Sequence, residues 1–205
     1  RDEASRFGAR SVVLKRANLH RALVDAAIAA GIPVAFDKRL TGIEQTKNGV
    51  IARFADGSEA QGDILIGADG IHSATRRLIL PQAPAPVYTG IVDCGAFVRP
   101  TPPLPPTPGM EMVFGRKAFF GYLVRPDGEV YWFCNVPWPK EPARGELAAI
   151  PAAEWHRRLK NLAVGAPDPI PAIVAATSGE IGKWPIYDIP SLPTWHQGRV
   201  VLLGD

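Results

Sequence analysis

Three short stretches combine residue types that can hold a phosphate- or sugar-bearing ligand. The first, GDILIGADGIHS from Gly62 to Ser73, reads as a buried strand, a tight glycine-flanked turn and a helix start. Ligands of open α/β sheets bind beyond the carboxyl ends of the strands. A helix start there adds free N–H groups and a positive dipole end, which suit phosphate. Gly67 and Gly70 allow close backbone approach, and Asp69 supplies a carboxylate. The competing reading is a plain turn in which Asp69 bonds its own backbone. The second stretch, VVLLGD, puts Asp205 just past an apolar run, where a carboxylate can accept from sugar or ribitol hydroxyls. The third, RANL, sets Arg16 ahead of an amphipathic helix, where it either meets a pyrophosphate or is a surface arginine.

The elements that position these residues follow from periodicity. Leu19, Ala22, Leu23, Ala26, Ala27 and Ala30 form a helical stripe over residues 18–30, with Asn18 as N-cap and Gly31 as stop. Residues 34–36 are a short strand candidate. Residues 40–46 and 50–54 predict a hairpin turning at Asn48-Gly49, and Asp56-Gly57 makes a second turn. Ile64, Leu65 and Ile66 are consecutive and apolar, as in a parallel strand buried on both faces, and 200–203 repeats that pattern in what is expected to be the same sheet. A helix begins near Ser73.

Composition changes after Leu80. Prolines 81, 84 and 86 mark a linker, and PTPPLPPTP (100–108) is read as a loop joining two strands. Residues 87–98, 110–114, 118–124 and 129–136 predict strands, the last three antiparallel and consecutive. A helix over 152–163 carries Trp155, Leu159 and Leu162 on one face. Residues 180–189 are mixed. The fold class expected is α/β (α+β overall): a doubly wound α/β layer into which an antiparallel sheet is inserted.

Taken in order, RANLHRAL, GADGIHSATR and GRVVLLGD resemble the FAD-dependent monooxygenases of the para-hydroxybenzoate hydroxylase type, the broad group of salicylate hydroxylase, 6-hydroxynicotinate 3-monooxygenase, urate hydroxylase and zeaxanthin epoxidase. The resemblance runs from about Val12 to Asp205, and GADGIHSATR is its most specific part. It implies that Arg16 contacts the FAD chain, that Leu40 touches FAD through its backbone, that Asp69 and Gly70 serve FAD and NAD(P)H, and that Asp205 binds the ribose or ribitol region. It implies an FAD-binding domain over 1–85, a substrate-binding sheet domain over 86–179, and a return to the first domain over 180–205. It implies hydroxylation of a small aromatic or heteroaromatic compound with NAD(P)H and O2 through a flavin hydroperoxide. Another FAD-dependent oxidoreductase or epoxidase on the same scaffold stays open, as does a non-catalytic piece that binds no FAD. The upstream GxGxxG fingerprint is absent, and with no initial Met both ends read as cut, so that fingerprint is expected ahead of Arg1.

If a cofactor carries the hard chemistry, no triad, acid pair or metal cluster is needed, and none stands out. A substrate-facing residue should then lie on the inserted sheet. Tyr131 is the leading candidate, because alternation sets it on one face with Phe133 and a phenol can bond a substrate hydroxyl; a packing aromatic is the competing reading. Tyr122 is a weaker alternative. Cys94 and Cys134 lack metal or redox spacing and read as small buried residues. The formal net charge is +3, and the densest basic cluster, Arg157, Arg158 and Lys160, reads as a solvated helix face too short for nucleic acid. No stretch reaches the ~20 apolar residues of a membrane span. The expectation is a cytoplasmic enzyme with no nucleic-acid or membrane partner, and a homodimer is admitted.

Overall fold

Two apolar runs far apart in the chain pair as parallel strands, and the rest of the first unit is built around them. The computed structural model describes residues 3–9 and 14–204. The chain divides into two units, residues 1–84 with 191–205, and residues 85–190.

In the first unit, α1 (Glu3–Phe7) and α2 (Arg16–Ala29) precede a meander of β1 (Leu40–Gln45), β2 (Val50–Phe54) and β3 (Glu59–Gly62). Then come β4 (Leu65–Gly67) and α3 (Ala74–Ile79). The helix α2 ends as its glycine implies: Gly31 takes φ +74°, Gly31 N–H donates to the Ile28 carbonyl and Ile32 N–H to that of Ala27. Its N-cap is Lys15 rather than Asn18. Its apolar stripe is exposed among the described residues, with Leu23 at 62% and Ile28 at 59%. Residues 34–36 form no strand. The β1–β2 hairpin forms, but the loop spans residues 46–49, and the Thr46 hydroxyl accepts from the N–H groups of Asn48 and Gly49.

The second unit opens with β5 (Val87–Val98), followed by β6 (Glu111–Phe114), β7 (Phe119–Val124) and β8 (Val130–Pro137). Three helices, α4 (Glu146–Ala149), α5 (Ala152–Ala163) and α6 (Ile170–Ala176), lead to β9 (Gly182–Asp188). These five strands make one antiparallel sheet in the order β6-β7-β8-β5-β9. β9 corrects the boundary expected at residue 180: it pairs with β5, so the return to the first unit starts at Ser191. β9 is an edge strand, the place where its Pro185 costs no ladder bond.

Alternation divides that sheet into two faces. Val92, Cys94, Phe120, Trp132 and Cys134 point to one of them and form the core with Trp155, Leu159 and Ile173 of the helices. The stripe expected on residues 152–163 is thus buried, with Trp155 at 0% and Leu159 at 1% exposure. Both cysteines are free and buried. Cys94 Sγ–H donates to the Cys134 carbonyl, and that environment together with burial pushes the Cys94 thiol far up, so it is an inert packing group.

Back in the first unit, β10 (His196–Gln197) pairs with β11 (Val200–Leu202). β11 runs parallel to β4, with Val200 opposite Leu65 and Leu202 opposite Gly67. Val50, Ile79, Val200 and Leu202 form a small core. Burial of β4 on both faces is not observed among the described residues: Ile66 is 55% exposed and Ile64, just before the strand, 61%, and β4 is the edge of its sheet. Among the described residues no helix is long and apolar enough to cross a membrane, and no cluster of side chains could hold a metal.

Candidate functional site

The carboxyl end of β4 carries the turn that the sequence singles out. Gly67 closes the strand, its carbonyl accepting from Leu203 N–H, and Gly70 takes φ +75°, a conformation that favours glycine. The Asp69 carboxylate turns back onto the start of α3. One oxygen accepts from the Ser73 hydroxyl; the other accepts from Ala74 N–H, Thr75 N–H and the Thr75 hydroxyl. Ser73 is the N-cap, its hydroxyl accepting from Arg76 N–H at 2.8 Å. Burial raises the Asp69 acid, but the bonds from Ser73 and Thr75 outweigh it and hold Asp69 below the usual carboxylate range. Asp69 therefore spends most of its accepting capacity on shaping the turn; Ser73, expected near the helix start, is its cap, and Thr75 is a partner not singled out from the sequence.

Leu40 and Asp69 line one cavity of about 480 Å³, floored by Val50, Ala52 and Leu65. An apolar floor beside a glycine-bearing turn fits one part of a dinucleotide, and the volume is too small for all of it. Arg16 lies in a different groove, with His20 and Phe36, at the first turn of α2. Asp205 lies outside the described residues. Arg77 donates to the His72 carbonyl, and Arg76 is buried at 5% exposure, so this arginine pair packs around the turn as well as carrying charge.

The second unit offers a different surface. On the sheet face away from its core, Asp93 stands opposite Asn135, Gly95 opposite Phe133 and Phe97 opposite Tyr131. Phe119 and Gly121 of β7 continue the same rows. The Tyr131 ring lies 5.1 Å from that of Phe97 and 6.1 Å from that of Phe133, and Phe119 is 5.6 Å from Phe133. Gly121 leaves room for the Phe133 ring, which would have to turn aside for a Cβ there. Burial, with help from the Asp93 charge, raises the Tyr131 phenol, so it stays a protonated donor. Tyr122, the weaker candidate, lies opposite Trp132 on the helix-covered face and packs against the core.

Asp93 was not picked out from the sequence. One of its oxygens is buried without a hydrogen-bond partner, and burial pushes its acid up to about 6. The available signal was a lone carboxylate inside the apolar strand GIVDCGAFV, in phase with Gly95 and Phe97.

A family model described as an FAD binding domain matches residues 4–205. The chain belongs to that family. It is 33% identical over 214 residues to 6-hydroxynicotinate 3-monooxygenase of Bordetella bronchiseptica, covering 98% of this chain and 51% of the relative. It is 32% identical over 206 residues to FAD-dependent urate hydroxylase of Klebsiella pneumoniae, covering 98% and 50%. The structure of Klebsiella pneumoniae HpxO complexed with FAD and uric acid superposes with a TM-score of 0.80 at 30% identity, covering 98% of this chain and 50% of that one. A salicylate hydroxylase substrate complex shares the fold, with a TM-score of 0.67 at 21% identity over 90% of this chain and 50% of that one. The resemblance carried by RANLHRAL, GADGIHSATR and GRVVLLGD is thereby borne out, as is the α/β class with its inserted sheet. The chain spans about half the length of the curated relatives it matches.

Proposed function

We propose that the protein carrying this chain is an FAD-dependent monooxygenase that uses NAD(P)H and O2 to hydroxylate a small aromatic or heteroaromatic compound. The observation that carries the proposal is the half-open aromatic face of the five-stranded sheet, where Phe97, Phe119, Tyr131 and Phe133 surround a few polar groups. Flat rings stack on such a surface, and a few placed polar groups orient them. Leu40 and the Gly67–Gly70 turn would hold part of FAD, with Arg16 serving a more distant segment of the chain. Bound FAD supplies the redox chemistry and the activation of O2. The protein's own part is to orient the ring, through the Tyr131 hydroxyl among others, and to keep water off it. The cytoplasm suits this reading because NAD(P)H is available there.

A yellow protein with a flavin spectrum is the first expected result, and a colourless one that takes up no added FAD would end the flavoenzyme reading. NAD(P)H oxidation stimulated by one of a panel of phenols and hydroxypyridines, with a hydroxylated product, is the second. Oxidation without such a product would mean another oxidoreductase. Tyr131→Phe removes one hydrogen bond and keeps the ring, so kcat/KM should fall about tenfold while the flavin spectrum is unchanged. Unaltered turnover and affinity would take Tyr131 out of the site.

A further inference from the structure

The polar inventory of the aromatic face is one-sided. At the paired strand positions of that face the described residues present the carboxyl of Asp93, one amide, Asn135, and one phenol, Tyr131, with a second carboxyl, Asp188, at the far end of β9; Lys183, opposite Cys94, belongs to the other face, with its Nζ over the Trp155 ring. No lysine or arginine occupies those positions. A ring carboxylate laid on this face would meet a carboxyl and no cation. Asp93, meanwhile, has a buried oxygen with nothing to accept from. A buried acceptor without a donor is costly, and an incoming N–H or O–H relieves the cost.

We infer that this face selects an uncharged aromatic or heteroaromatic ring bearing N–H or O–H donors, with the Asp93 carboxyl as the acceptor that fixes it, and discriminates against ring carboxylates. The inference rests on the proposed function, since it names the substrate class of that same surface. It separates this chain from a relative named for a pyridine carboxylate. Trp184, paired with Asp93 from β9, gives the ring a further apolar edge. The geometry also sets a pH dependence. The groups that face Asp93 are Asn135 from β8 and Trp184 from β9, neither of which titrates near neutrality, with Tyr131 farther along β8 held as a neutral phenol. Asp93 alone therefore governs the ionisation of its surroundings, and its acid sits at about 6. A neutral donor ring binds more tightly as the pH rises through that value and Asp93 ionises.

The test is calorimetric binding to the full-length flavin-loaded protein, with 2-hydroxypyridine as the neutral donor ring and 4-hydroxybenzoate as the carboxylate. The wild-type protein should bind 2-hydroxypyridine at least about tenfold more tightly at pH 8, the effect of one charge-assisted hydrogen bond. Asp93→Asn, which keeps shape and size, should bring the two affinities within about threefold and flatten the pH dependence between 5 and 8. Asp93→Ser serves in its place if the asparagine variant does not fold. Preference for 4-hydroxybenzoate in the wild-type protein, or an unchanged ratio in the variant, overturns the role of Asp93 and leaves the aromatic face standing as the substrate surface. Binding of neither ring overturns both.

Discussion

Replacing Asp69 with alanine should lower the stability of the full-length protein by about 2–3 kcal/mol and its melting temperature by about 4–10 °C, with FAD retained at least tenfold less tightly. Four donors converge on this carboxylate, two of them backbone N–H groups at the open end of α3. Their loss removes a cap, leaves the Thr75 hydroxyl in a buried setting without an acceptor, and frees the turn that carries Gly70. Asp69→Asn keeps one acceptor oxygen and should fall between the two. Sign follows from the lowered acid constant: the stabilisation is complete above the ordinary carboxylate value of about 4 and is lost as the pH falls below it through the depressed folded value. Wild-type stability should therefore decline in that acid range by an amount that Asp69→Ala does not show. Thermal melts read against pH, with release of flavin followed by its fluorescence, check both. A variant that melts as the wild type and holds FAD as well would show that Ser73 alone fixes the helix start.

This result would also decide between two readings of GADGIHSATR that the sequence holds level. A carboxylate beside a glycine in a strand–turn–helix step can bind a ligand or tie the turn, and the residue types are the same for both. The structure adds that the tie is made, with both oxygens engaged. Under the proposed function, the part of Asp69 in holding FAD is the shape it imposes on the turn.

Local chemistry was legible wherever neighbours in sequence determine it. The strand before Gly67, the helix after Ser73, the Gly31 stop and the Trp155–Leu159 stripe all follow from short-range pattern. Even the distant pairing of β4 with β11 could be read, because both are short runs of consecutive apolar residues, the pattern that suits one parallel sheet. Legibility failed where the deciding partner lies elsewhere. β9 has a proline and a mixed pattern, and only its pairing with β5 makes it a strand. The stripe of α2 gives a helix correctly but says nothing of what covers it; among the described residues Leu19, Leu23 and Ile28 stay exposed. Asp93 shows the same limit at the site. Its significance depends on Asn135 and Trp184, brought from two other strands, and on the absence of a donor at its buried oxygen.

Gly67→Ala should destabilise the protein by about 3 kcal/mol, more than a methyl group added to an ordinary strand. A Cβ on Gly67 would stand 2.6 Å from Thr75 Cγ2, 2.7 Å from its Cβ and 3.0 Å from its Oγ1. Thr75 has nowhere to retreat: it is 3% exposed, and both its N–H and its hydroxyl are bound to Asp69. Gly67 is held as firmly, opposite Leu202 in the parallel ladder and through its carbonyl to Leu203. The methyl must therefore drive α3 away from β4 and strain the Asp69 cap with it. The double variant Gly67→Ala/Thr75→Ser separates this steric cause from a loss of backbone freedom, because it removes the nearest carbon and keeps the hydroxyl. Its destabilisation should be smaller than the sum of the single effects by at least about 1 kcal/mol, measured by denaturant unfolding. Strict additivity would place the cost of Gly67→Ala in the backbone. A coupling of that size would mean that the glycine is required by the close packing of helix on strand, the same packing that sets the Asp69 turn at the mouth of the Leu40 cavity.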